Sequence, residues 1–92
     1  MDQEKIDAVR EYLRSQFQGC AIEDLFDEGR MSQTFTITCG KSIFIARIQK
    51  EFLDNRGSSD ISGLLRTFLL AEHLRDLENT PVIITNSGLS LE

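Results

Sequence analysis

The stretch TFTITCGKSIFIARI, Thr34 to Ile48, constrains this chain more than any other. Phe35, Ile37 and Cys39 alternate with Thr34, Thr36 and Thr38, the period-two pattern of a half-buried strand. Gly40-Lys41 fits a two-residue type II′ loop with glycine in the first central place. That loop sets a register in which Cys39 faces Ser42, Ile37 faces Phe44 and Phe35 faces Ala46. Strands over 33–39 and 42–48 follow. One face of the pair (Phe35, Ile37, Cys39, Phe44, Ala46) is core. The other holds three threonines against Ile43, Ile45 and Arg47, and is more apolar than a solvated face needs.

The flanking segments supply helices and further strands. Ile6, Val9, Leu13 and Phe17 recur at three- and four-residue steps, which predicts a helix over 3–17 with Tyr12 beside its stripe. Asp2 can cap its start, and Gly19 sits where a helix end favours positive φ. Asp7 with Arg10, and Glu11 with Arg14, are solvated helix pairs worth little. Residues 20–27 read as a strand whose register stays open: Ile22 and Phe26 share one face with Asp24 between them, Ala21 and Leu25 the other. EGRM is a turn. Phe52 and Leu53 fit a single helical turn after the third strand.

A second helix is predicted over 60–78, with Ser59 or Asp60 as N-cap and Pro81 forcing the stop. It carries two apolar stripes. Ile61, Leu64, Leu65 and Phe68 form one; Leu70, Leu74 and Leu77 lie nearly opposite at about 100° per residue. Such a helix either bends or has neighbours on two sides. The closing VIITNSGLSL predicts a hairpin with a three-residue Asn86-Ser87-Gly88 loop. That loop puts Ile83, Thr85, Leu89 and Leu91 on one face, Val82 and Ile84 on the other.

The order α-β-β-β-α-β-β predicts an α+β two-layer sandwich: an antiparallel sheet of up to five strands with two helices on one face. Ninety-two residues suit one domain over 1–92. The closing Leu91-Glu92 is compatible with a native end or with residues left by cloning, so Glu92 is given no role. The start, MDQEKIDAVR, lacks the apolar run of a secretory signal, and no segment approaches the ~20 apolar residues that span a bilayer. A cytoplasmic protein with no membrane contact is the expectation. On that basis Cys20 and Cys39, in no CxxC spacing, are expected as a reduced pair rather than a disulfide.

A net charge of −5 disfavours polyanionic partners. Charge is uneven, however. Residues 29–56 carry five bases and two acids, locally +3, which keeps an anion surface on Lys41, Arg47, Lys50 and Arg56 in view. The other candidates for chemistry are thin. His73 is the sole histidine and has no cysteine or carboxylate at ligand spacing. Glu23, Asp24, Asp27 and Glu28 lack the alternation of an EF-hand loop. GSSDISG, before the second helix, lacks the lysine of a P-loop. Neither cysteine reads as a nucleophile, because strand-borne buried thiols are inert. No catalytic residue, cofactor or metal is predicted.

The leading element order α-β-β-β-α resembles that of double-stranded-RNA-binding domains, which would imply phosphate contacts. The second helix opens SSDISGLL, however, without the lysine cluster such domains place there. The full order also resembles part of the architecture of type III secretion chaperones, small acidic dimers that bind extended client segments. That likeness implies self-association and protein binding; the last helix of those proteins has no counterpart here. The second apolar stripe of Leu70, Leu74 and Leu77 and the half-apolar sheet face with Ile43 and Ile45 predict a protein-interaction module that pairs with itself through these residues. The alternative is a nucleic-acid or anion-binding domain.

Overall fold

The computed structural model describes residues 3–91. The proposed cap Asp2 and the closing Glu92 lie outside the described residues. Helix α1 (Gln3–Gln16) forms on the predicted stripe, and Ile6, Val9, Leu13 and the following Phe17 are buried. Tyr12 is buried with them. Gly19, at φ +79°, turns the chain out of the helix.

Three strands follow as an antiparallel meander: β1 (Ala21–Asp27), β2 (Ser32–Cys39) and β3 (Ser42–Gln49). Cys39 pairs with Ser42, Ile37 with Phe44 and Phe35 with Ala46, the register set by the Gly40-Lys41 loop. Gly40 has φ +62°, while Lys41 is not among the positive-φ residues, as a type II′ turn requires. The open register of β1 resolves through its partner. Ile22 lies opposite Ile37, Asp24 opposite Phe35 and Phe26 opposite Gln33, so these three share the core side. The EGRM turn closes with Met31 at φ +48°, and the Met31 carbonyl accepts the Lys50 amide at 2.8 Å.

Phe52 and Leu53 occupy the short helix α2 (Lys50–Asp54), fully buried. The single helix predicted over 60–78 is instead two, α3 (Ser58–Thr67) and α4 (Leu70–Asp76). The N-cap of α3 is Gly57, not Ser59 or Asp60. Between the two helices Leu69 is left-handed, at φ 57° and ψ 41°. The break resolves the two-stripe pattern. A continuous helix would point Leu70 and Leu74 away from Ile61 and Leu65. Reversing the backbone at Leu69 turns all four into one core, each with no exposed surface. Burying Leu70 and Leu74 is worth about 1.5–3 kcal/mol each, more than the roughly 1–2 kcal/mol that a left-handed non-glycine residue costs.

Strands β4 (Val82–Thr85) and β5 (Gly88–Leu91) complete a five-stranded sheet in the order β1-β2-β3-β4-β5. The sheet is mixed rather than all antiparallel, because β4 runs parallel to β3, with Ala46 beside Val82 and Ile48 beside Ile84. The three helices between β3 and β4 form a crossover, and a crossover brings the chain back parallel. The Asn79 amide extends this pairing by donating to the Ile43 carbonyl at 2.9 Å.

The last hairpin has a two-residue Asn86-Ser87 loop rather than three, since Thr85 pairs with Gly88. The Thr85 hydroxyl explains the tightness: it donates to the Gly88 carbonyl and accepts the Ser87 amide, both at 3.1 Å. Leu89 therefore pairs with Ile84, and Leu91 with Val82. Both leucines join the face of Val82 and Ile84, not that of Ile83 as the longer loop implied. Leu89 then packs on the core, while Leu91 stays exposed.

Candidate functional site

Alternation along the strands sorts the sheet into two unlike faces. Phe35, Ile37, Phe44, Ala46, Ile48, Val82 and Ile84 are all buried. The intervening residues are not. Leu25, Thr34, Arg47 and Ile83 form one row across four strands, with Glu23, Thr36 and Ile45 in the next row and Thr38 paired with Ile43 beyond. Leu25 is 73% exposed and Ile43 38%, while Ile45 and Ile83 are partly buried. A shallow hollow of about 440 Å³ opens where Leu25, Thr34, Thr36 and Arg47 meet the acidic residues Glu23 and Asp27.

The residues predicted as a partner surface therefore separate. Ile43 and Ile45 stand on this second face. Leu70 and Leu74 do not belong to any surface, because the turn at Leu69 drives them into the core; Leu77 is partly buried against it. Leu25 and Ile83 join the face, although the sequence did not single them out. The alternation of β1 contained Leu25, but only its pairing with β2 shows which side it takes. Ile83 was hidden by the assumed loop length of the last hairpin.

The basic residues do not converge. Lys41 is exposed at the β2–β3 tip, and Lys50 follows β3 at the other end, eight or nine residues away along the strand. Most are engaged. Arg47 donates to the Thr34 hydroxyl at 3.5 Å and lies 3.7 Å from the Asp27 carboxylate. Lys50 holds Asp54 at 2.5 Å, and that hydrogen bond lowers the Asp54 pKa. Arg56 donates to the Asn86 side chain at 2.7 Å and stacks 4.4 Å over the Phe52 ring.

The acidic run is divided by the same alternation. Asp24, on the core side, pairs with Arg10 of α1 and accepts the amide of buried Gln33 at 2.7 Å. It ties α1 to the edge of the sheet and leaves Glu23, Asp27 and Glu28 toward solvent. His73 is exposed, with its Nδ1 2.9 Å from the Leu69 carbonyl, an interaction within its own helix. Among the described residues no group of three or more histidines, cysteines or carboxylates could hold a metal ion. No helix among them is long and apolar enough to cross a membrane.

The two cysteines correct the sequence reading. Ala21 pairs with Thr38, so Cys20 and Cys39 stand opposite each other one step further along, and they form a disulfide. Their Cα atoms are 4.7 Å apart, inside the range that a disulfide spans. The strand register, not a short motif, brings them together. No protein-family model, curated protein or solved structure matches this chain.

Proposed function

We propose that this chain is a non-enzymatic protein-interaction module of the cytoplasm that pairs with a second copy of itself through the second sheet face. In this reading the helices form one layer over the Phe35, Ile37, Phe44 and Ile48 face, and the sheet is the second layer of a two-layer sandwich. The exposure of Leu25 and Ile43 beside Ile45 and Ile83 carries the proposal. Apolar side chains gathered on one face favour a partner over water.

Charge argues for a second copy, and for the face rather than the edge. Strand β1 is an edge, but exposed Glu23 lies along it and Glu28 follows its end. Two such edges would bring like charges together. Along the strands, Lys41 stands at one end and exposed Glu28, next to the Arg47-paired Asp27, at the other, roughly 26 Å apart at ~3.3 Å per residue. A two-fold axis lying in the interface and perpendicular to the strands would set the Lys41 end of each copy over the Glu28 end of its partner, the self-complementary arrangement that a symmetric dimer needs. The hollow beside Leu25 gives room for a partner side chain.

The alternative, anion or nucleic-acid binding through Lys41, Arg47, Lys50 and Arg56, draws less support. These residues are scattered, and Arg47 and Lys50 already face carboxylates. Polyanion binding needs a continuous basic face. Replacing Leu25 and Ile43 together by lysine tests the main reading. Light scattering at micromolar concentration should fall from twice 10.5 kDa to 10.5 kDa with the circular dichroism spectrum retained. An unchanged mass would defeat it.

A further inference from the structure

The Cys20–Cys39 bond sits at the margin of the sheet, outside the proposed pairing face. We propose that it is a reversible thiol–disulfide site, a cross-strand clamp on the edge strand whose co-reactant is a small-molecule disulfide of the glutathione type. Preorganisation is the first argument. Seven residue pairs join β1 to β2 besides the bond, and Ile22 packs against the core. With the bond broken the strands still hold the two sulfurs opposite each other, so closure is intramolecular. Access is the second. Both cysteines pack against the core on one side but keep part of their surface in solvent, which leaves the bond open to attack by a small thiol. Position is the third. The bond closes a segment of sequence separation 19 that contains β1, its turn and β2, so it fastens an edge strand to its one neighbour in the sheet.

The chemistry balances without a further reagent. The thiolate of one cysteine attacks a sulfur of the small disulfide, forming a mixed disulfide and releasing one small thiolate. The second protein thiolate attacks the protein-borne sulfur and expels the other small thiol. Two protein thiols are oxidised, one small disulfide is reduced by two electrons, and the two protons leave on the two small thiols. Reduction by excess small thiol runs the same steps backward. A disulfide that cycles in this way, rather than staple the fold permanently, is the form expected in a reducing compartment.

The test equilibrates the intact protein in buffers of reduced and oxidised glutathione at varied ratio, without denaturant. Free thiols are then alkylated and counted by mass. The proposal expects two alkyl groups at the reduced extreme, none at the oxidised extreme, and full reversal between them. It also expects β1 amides to exchange at least about tenfold faster on reduction while β3 amides stay unchanged. A Cys20→Ser, Cys39→Ser double variant should exchange like the reduced protein. A pair that stays oxidised in excess reduced glutathione overturns the proposal. So does a persistent glutathione adduct on one cysteine, or a reduction that abolishes the circular dichroism of the whole chain.

Discussion

The Tyr12 hydroxyl accepts the Ala71 amide at 3.2 Å, a buried hydrogen bond across 59 residues of sequence. It meets a specific need. Helix α4 begins at a left-handed leucine that offers no side-chain cap, so its first amides lack partners. Tyr12 of α1 supplies one. Helix α4 returns the contact, because Arg75 donates to the Gln16 carbonyl at the end of α1 at 2.5 Å and lies 4.9 Å from the Phe17 ring. Each helix thus satisfies the loose end of the other, and Phe17 passes the contact to Phe44 of the sheet, 5.3 Å away between ring centroids.

Tyr12→Phe keeps the ring and removes the acceptor. It should lower unfolding stability by about 1–3 kcal/mol, the range for leaving a buried donor unsatisfied. The urea midpoint measures this. An unchanged midpoint would mean that water or another group caps Ala71.

The same residue predicts a pH response. Burial pushes the Tyr12 phenol up; the Ala71 hydrogen bond opposes this more weakly. A folded-state pKa above the unfolded one favours the protonated native form. The contribution is complete below the ordinary tyrosine value of about 10 and is lost as pH rises through the folded value. Stability should therefore fall above about pH 10, and the slope should be shallower in Tyr12→Phe. Urea unfolding between pH 9 and 11 checks the sign; a stability that rises with pH through tyrosine ionisation would contradict it.

Leu69 is both left-handed and 52% exposed, so its side chain gives little in return for its backbone cost. Leu69→Gly should stabilise the fold by roughly 0.5–1 kcal/mol, because glycine adopts this conformation without the side-chain clash. Leu69→Val should destabilise it. Thermal midpoints of the two variants should move in opposite directions. Destabilisation by glycine would indicate that the helix break depends on the leucine side chain.

Asp24 serves Arg10 and Gln33 at once. Asp24→Ala should cost about 1–3 kcal/mol, since the buried Gln33 amide loses its acceptor. Asp24→Asn, which keeps an acceptor, should cost less. Asp7→Ala, whose carboxylate meets Arg10 on the exposed flank of α1, should change the denaturation midpoint within ~0.5 kcal/mol. Equal costs at Asp24 and Asp7 would deny Asp24 its special place.

What the sequence made legible followed from local periodicity. The β2–β3 register, the α1 stripe, the Gly19 exit and the turn containing Phe52 and Leu53 each depend on a few neighbouring residues. The misses involved partners distant along the chain. Leu69 has no breaker signature; its left-handed backbone is stabilised by the burial of Leu70 and Leu74, which a helical pattern alone cannot reveal. The parallel pairing of β4 depends on three helices forming a crossover. The disulfide depends on how β1 registers with β2, and that register was open. The candidate face was half legible. Ile43 and Ile45 emerged from the hairpin, whereas Leu25 and Ile83 joined only once β1 and β4 had taken their places on either side of it.

Sedimentation velocity over a concentration series tests the self-pairing most directly. The account predicts a concentration-dependent shift from a 10.5 kDa species to one of twice that mass, with the shift lost in the variant carrying lysine at both Leu25 and Ile43. A single 10.5 kDa species at every concentration through the micromolar range would contradict it.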